Sequence, residues 1–114
     1  MPAPLLTIIE TREYLSRAEK RLSAEERAAV VEMIAADPEC GDLIQGGGGI
    51  RKVRVAIGGR GKSGGAGVVY YFHARRIPVF LLTVFAKNEK ANLTKAERNA
   101  LAAAAKTLAR TYGA

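Results

Sequence analysis

The chain has 114 residues, 48% of them apolar, which suits one domain with a single core, and its one cysteine excludes an internal disulfide. The net charge of +7 is unevenly spread, with residues 1–48 balancing at −4 and residues 49–114 at +11, an asymmetry suited to an anionic partner such as nucleic acid. No apolar run approaches the ~20 residues of a membrane span and no signal-type segment opens the chain, so a cytoplasmic protein with no membrane contact is expected.

Leu5-Leu6-Thr7-Ile8-Ile9-Glu10 reads as a strand. Thr11 caps a helix running to about Leu22. Ser23-Ala24-Glu25-Glu26 has the form of a capping box, in which Ser and Glu each satisfy an orphan backbone donor. It opens a second helix with Val30, Val31 and Ile34 on the buried side. Asp37-Pro38 ends that helix, because proline disfavours helical backbone at the residue before it. Residues 41–49 form a loop that closes in Gly46-Gly47-Gly48-Gly49. Three strands follow at about 50–57, 67–73 and 78–86. Loop 58–66 joins the first two, and Ala74-Arg75-Arg76-Ile77 turns the chain into the third, so antiparallel hairpins are expected. Val79–Phe85 is apolar on both faces and marks a central strand. Thr94-Lys95-Ala96-Glu97 is a second capping box. It opens a C-terminal helix that ends at Gly113, with Ala100, Leu101, Ala104, Leu108 and Tyr112 on the buried side.

The order β-α-α-β-β-β-α, without repeat or linker, predicts one α+β domain over residues 1–114. The sheet is expected to be mostly antiparallel with helices on one face, the other being free to form a concave surface.

The chemistry gathers on the sheet. Strand alternation puts Lys52 and Arg54 on one face and Arg51, Val53, Val55 and Ile57 on the other. Two cations side by side on a sheet repel each other unless an anion sits between them. The pair therefore suits a phosphate clamp, or else is an exposed, solvated face. Thr83, Phe85 and Lys87 share a face of the last strand. Phe85 suits equally a stacking platform for a base and a place in the core. Asn88, Glu89 and Lys90 lie just past that strand, within reach of a ligand. Glu89 is a general base by type, though such a residue more often partners a neighbouring lysine. Tyr70 and Tyr71 point to opposite faces, and His73 reads as a structural residue near a turn. Cys40 with His73 makes no metal cluster, so no metal or other cofactor is expected.

One motif misleads. Ala56-Ile57-Gly58-Gly59-Arg60-Gly61-Lys62-Ser63 loosely fits a phosphate-binding P-loop with Ala in place of the first Gly. A true P-loop runs into a helix, whereas Gly67-Val68-Val69-Tyr70-Tyr71-Phe72 is strand-like, which argues against a nucleotide triphosphatase. Arg60 and Lys62 still offer cations to phosphate.

Together, Gly49-Ile50-Arg51-Lys52-Val53-Arg54, Gly61-Lys62-Ser63-Gly64-Gly65, Tyr70-Tyr71 and Phe85-Ala86-Lys87-Asn88-Glu89-Lys90-Ala91-Asn92-Leu93 resemble the RelE/HigB toxins of type II toxin–antitoxin systems. The resemblance covers nearly the whole chain and is strongest from about 43 to 101. It implies a ribosome-dependent endoribonuclease that cuts messenger RNA without metal, through attack of the 2′-hydroxyl on the adjacent phosphate. It implies catalytic roles for Lys52 as base, Arg54 as phosphate ligand and Lys87 at the leaving oxygen. Arg51, Arg60, Lys62, Phe85, Asn88 and Lys90 complete the expected RNA-contacting set. The implied partners are the ribosome, messenger RNA and a cognate antitoxin, often one with a helix-turn-helix domain, with operator DNA met only through the antitoxin. The chain departs from the pattern at Gly67, where many relatives carry a phosphate-contacting arginine. That departure leaves open an attenuated toxin that only binds antitoxin or RNA. A ParE-type gyrase poison, which shares the fold, is the third reading.

Overall fold

The computed structural model describes residues 6–57 and 65–114. Leu5, and loop residues 58–64 with Arg60 and Lys62, lie outside the described residues. The elements are β1 (Ile8–Glu10), α1 (Arg12–Arg21), α2 (Ala24–Ala36), β2 (Asp42–Leu43), β3 (Ile50–Val55), β4 (Ala66–Tyr71), β5 (Val79–Ala86) and α3 (Lys95–Thr111). They form an α+β fold around a five-stranded mixed sheet of order β1-β5-β4-β3-β2. β1 runs parallel to β5, and the other pairs are antiparallel.

Local chemistry sets the helix starts. The Thr11 hydroxyl accepts from the Tyr14 amide at 3.3 Å and donates to the Leu81 carbonyl at 2.7 Å, so one side chain caps α1 and ties it to the central strand. Both expected capping boxes form, Ser23 with Glu26 and Thr94 with Glu97. α2 stops at Asp37, ahead of Pro38.

The helices cover both faces of the sheet, not one as expected. On the first face, Tyr14, Ala18, Val30 and Ile34 of α1 and α2 pack with Val68, Tyr70, Val79, Leu81 and Val84. On the second, Ala105 and Ala109 of α3 pack with Val69, Tyr71, Phe80, Leu82 and Phe85. Every residue of β4 is buried, as is β5 up to Ala86, and strands apolar on both sides need cover on both sides. A bulge lets this pattern work. Val69 pairs with Thr83 but Tyr70 pairs with Leu81, so Leu82 is the extra residue, and Leu82 and Thr83 both serve the second face.

The buried line of α3 is also turned from the expected one. Ala105 and Ala109 are buried and Leu101 and Leu108 partly so, whereas Ala100 and Ala104 are exposed. Alanine at most positions of that stretch leaves little contrast from which to read a face.

β2 was not expected; it lies inside the 41–49 loop and pairs Asp42 with Lys52 and Leu43 with Arg51. Tyr70 positions its start. The buried hydroxyl donates to the Pro38 carbonyl at 2.9 Å and accepts from the Gly41 amide at 2.8 Å, and burial raises its pKa. A Cβ at Gly41 would meet the Tyr70 ring at 2.8 Å, so this approach needs glycine.

Candidate functional site

Strand β3 carries the site. Its alternation is as expected: Lys52 and Arg54 lie on the α3 face, opposite Val69 and Gly67 of β4, while Val53 and Val55 pack on the first core. Arg51 goes with the latter. Its guanidinium donates to the carbonyls of Gly41 at 2.8 Å and Glu39 at 3.3 Å, and pairs with the Glu39 carboxylate at 3.5 Å. Arg51 therefore anchors the loop before β2 and stands on the opposite face from Lys52 and Arg54.

A rung runs across three strands, from Arg54 to Gly67 to Phe85. Gly67 has no side chain, and the Phe85 ring fills the space. A Cβ built there would lie 3.1 and 3.2 Å from ring carbons of Phe85 and 3.4 Å from Cδ of Lys52. Phe85 is 3% exposed. It takes the place in the core that was one of its two expected roles. Its ring underlies two ammonium groups, with Lys52 Nζ 6.0 Å and Lys90 Nζ 5.9 Å from the centroid. The negative ring face attracts both.

The two lysines differ in their other contacts. Lys90 pairs with the Glu97 carboxylate, and that bond holds the Glu97 carboxyl below its usual range. Lys52 finds neutral acceptors, the Asn92 side-chain oxygen at 3.2 Å and the Ala91 carbonyl at 3.4 Å. Asp42 stands across the ladder from Lys52, but no ion pair joins them among the described residues. Arg54 is exposed, with no ion-pair partner among the described residues.

Lys87 and Asn88 are exposed in the turn after β5. The Lys87 amide donates to the Gly65 carbonyl at 2.9 Å, so Lys87 stands two positions beyond the Gly67–Phe85 rung. Glu89 fixes this turn and is unsuited to be a base. Arg21 holds both its carboxylate oxygens, at 2.5 and 2.6 Å; Arg17 donates at 3.1 Å and the Ala86 amide at 2.7 Å. The Arg21 hydrogen bonds, followed by that of Ala86, pull the Glu89 carboxyl down to about 2. Its partners are arginines of α1, not the neighbouring lysine expected.

His73 is exposed and stacks on Tyr71, with ring centroids 6.2 Å apart. Asn92, Lys95 and Arg98 join the site without having been expected there; Asn92 closes the run that follows β5, and the i, i+3 spacing of Lys95 and Arg98 on one helix face is the signal the sequence carries for them.

The family described as the RelE toxin of the RelE/RelB toxin–antitoxin system matches residues 8–113. The chain belongs to the RelE toxin family. Among solved structures, it is similar to a double-arginine mutant of the E. coli toxin RelE in the free state. The identity is 17% and the TM-score 0.52, over 97% of this chain and 100% of that one. At that identity the likeness speaks for the RelE fold alone. The run after the glycine-rich loop is strand β4, antiparallel to β3, which agrees with the case against a P-loop in this RelE-family chain. No helix among the described residues is long and apolar enough to cross a membrane.

Proposed function

We propose that this RelE-family toxin is an endoribonuclease that cuts messenger RNA on the ribosome. One observation carries the reading: Lys52 and Arg54 share a sheet face and neither has a carboxylate partner among the described residues. Uncompensated cations on adjoining positions of a rigid strand are poised for a phosphate.

In the proposed reaction the RNA 2′-oxygen attacks the adjacent phosphorus as its proton passes to Lys52 Nζ. Arg54 holds the non-bridging oxygens, where negative charge develops. The bond from phosphorus to the 5′-oxygen breaks, and Lys87 gives that oxygen a proton. The products are a 2′,3′-cyclic phosphate and a 5′-hydroxyl. The cognate antitoxin, proposed to carry a helix-turn-helix domain, would silence the toxin by covering the basic face or blocking ribosome entry.

Induced expression with mapping of RNA 5′ ends tests this reading. New 5′ ends within messages are expected. Undisturbed growth with no new ends would exclude an active toxin. A second reading, an attenuated toxin that only binds, is favoured by Gly67, since the ring of Phe85 occupies the place from which an arginine would extend. Co-purification with an antitoxin and no RNA cleavage would support it.

A further inference from the structure

Lys52 belongs to a second feature, which the cleavage reaction does not use. A groove of about 470 Å³ opens between β3, the chain at Ile44 and Gln45, and the first turn of α3. That volume lies within the range of about 300–1,000 Å³ usual for ligand sites. Three cations line the groove, Lys52, Lys95 and Arg98, and no carboxylate does. Outside the groove several cations are matched, Lys90 by Glu97, Arg51 by Glu39, and Arg17 and Arg21 by Glu89, while Arg54 and Lys87 have no ion pair among the described residues. Around the groove none is matched among those residues. Lys52 meets a carbonyl and an amide oxygen. Arg98 donates to the Gln45 carbonyl at 3.3 Å and to the Asn99 side-chain oxygen at 3.2 and 3.3 Å. Lys95 is exposed and has no partner among the described residues.

At the start of α3 the capping box occupies the Glu97 and Thr94 amides, and the Arg98 amide donates to the Thr94 carbonyl, so the side chains of the groove carry the charge for an anion. Ile44 and Leu93 add apolar wall, and Asn92 adds an amide. Cations beside an apolar wall with one amide match a nucleotide, whose phosphate needs charge and whose base needs a dry surface and a hydrogen bond.

We infer that this groove holds the nucleotide next to the scissile phosphate of single-stranded RNA. The flanking phosphate lies at Lys95 and Arg98, and the base lies against Ile44 and Leu93 within reach of Asn92. Lys52 joins the groove to the cleavage site, so the inference rests on the ribonuclease reading above.

The test is a salt titration of binding to a labelled single-stranded RNA oligonucleotide with a 2′-deoxy scissile position. Each phosphate contact on a single strand contributes a slope of about 0.7 in log K against log salt. Relative to 1 M salt, that is roughly fivefold per contact at 0.1 M. Lys95→Glu with Arg98→Glu is therefore expected to weaken binding by about 25-fold at 0.1 M salt and to flatten the slope by about 1.4. If a thermal melt shows that pair unfolded, Lys95→Gln with Arg98→Lys removes one charge and should give about fivefold and 0.7. A folded variant with wild-type affinity and slope overturns the groove. So does a wild-type chain that cleaves messages on induction yet does not bind the oligonucleotide. A wild-type chain that makes no new 5′ ends fails at the earlier step, on the ribonuclease reading itself.

Discussion

Between Arg54 and Phe85, the missing side chain at Gly67 decides where a ring lies, and the ring decides where Lys52 sits. Phe85 reaches over the glycine because nothing stands there, and the stem and ammonium of Lys52 rest against it. This is the usual way an aromatic residue stabilises a glycine across a ladder. Gly67→Arg restores the side chain many relatives carry, but its Cβ must displace the ring by a few tenths of an ångström. The expected result is more cleavage with a stability loss of about 1–3 kcal/mol from overpacking, read by 5′-end mapping and thermal melts. A folded variant with unchanged cleavage would sink the account of Gly67. Arg54→Ala and Lys52→Ala should each abolish cleavage. Arg54 is exposed, so its loss should change stability by no more than about 0.5 kcal/mol by circular dichroism. A chain unfolded by Arg54→Ala would contradict its placement on an open face. The division of β3 between Lys52 and Arg54 on one side and Arg51 on the other was legible in the sequence, because alternation is local. The burial of Phe85 was legible only as one of two readings, because it depends on the missing side chain of Gly67 on the neighbouring strand.

At the level of elements, the turn 87–90 is held by contacts that no local pattern reveals. Arg21 and Arg17 lie 68 and 72 residues from Glu89 in sequence, yet clamp it from α1. The same Arg17 donates to the Val84 carbonyl at 2.8 Å, so the clamp joins helix, strand end and turn. Reading the chain alone paired Glu89 with a neighbouring lysine, since helix-to-turn distances are set by the packing of α1 on β5. Glu89→Gln is expected to lower stability by about 1 kcal/mol at neutral pH, discounted for the partly exposed pair. The pH dependence has a definite sign. The Glu89 carboxyl is depressed in the folded chain, from 4.5 to about 2, so its contribution is complete above about 4.5 and fades as pH falls toward 2. Melts of wild-type chain and Glu89→Gln should converge over that window. A difference that persists unchanged at pH 2 would refute the clamp. Because Lys87 sits on this turn, the variant should also reduce cleavage more than its small loss of stability explains.

For the molecule as a whole, the uneven charge of the sequence becomes an uneven surface. Of the balance of +11 beyond residue 48, +7 sits on β3, the turn after β5 and α3; Arg75 and Arg76 lie before β5, and Arg60 and Lys62 lie outside the described residues. The order of elements and the antiparallel pairing of the core strands could be read from turns and capping boxes. The covering of both sheet faces could not, since strands apolar on both sides say that cover is needed but not which helix supplies it. The folded and unfolded chains carry the same +7, so net charge alone gives a polyanion little preference between them. A preference arises only where folding sets Lys52, Arg54, Lys95 and Arg98 within reach of successive phosphates. Binding to the folded state alone stabilises by RT ln(1 + [L]/Kd), about 2.7 kcal/mol at 100 times Kd, less whatever the unfolded chain binds. For a domain of this size that is a rise in Tm of roughly 10 °C. Single-stranded polyuridylate at low salt should raise Tm by several degrees, and the rise should vanish near 1 M salt as the phosphates are screened. Replacing Lys52 and Arg54 together by alanine should remove much of the shift without lowering the melt of the free protein by a comparable amount. Equal shifts in wild-type and doubly substituted chains would mean that polyanions see only the overall charge, and the arrangement on β3 would then not be a phosphate site.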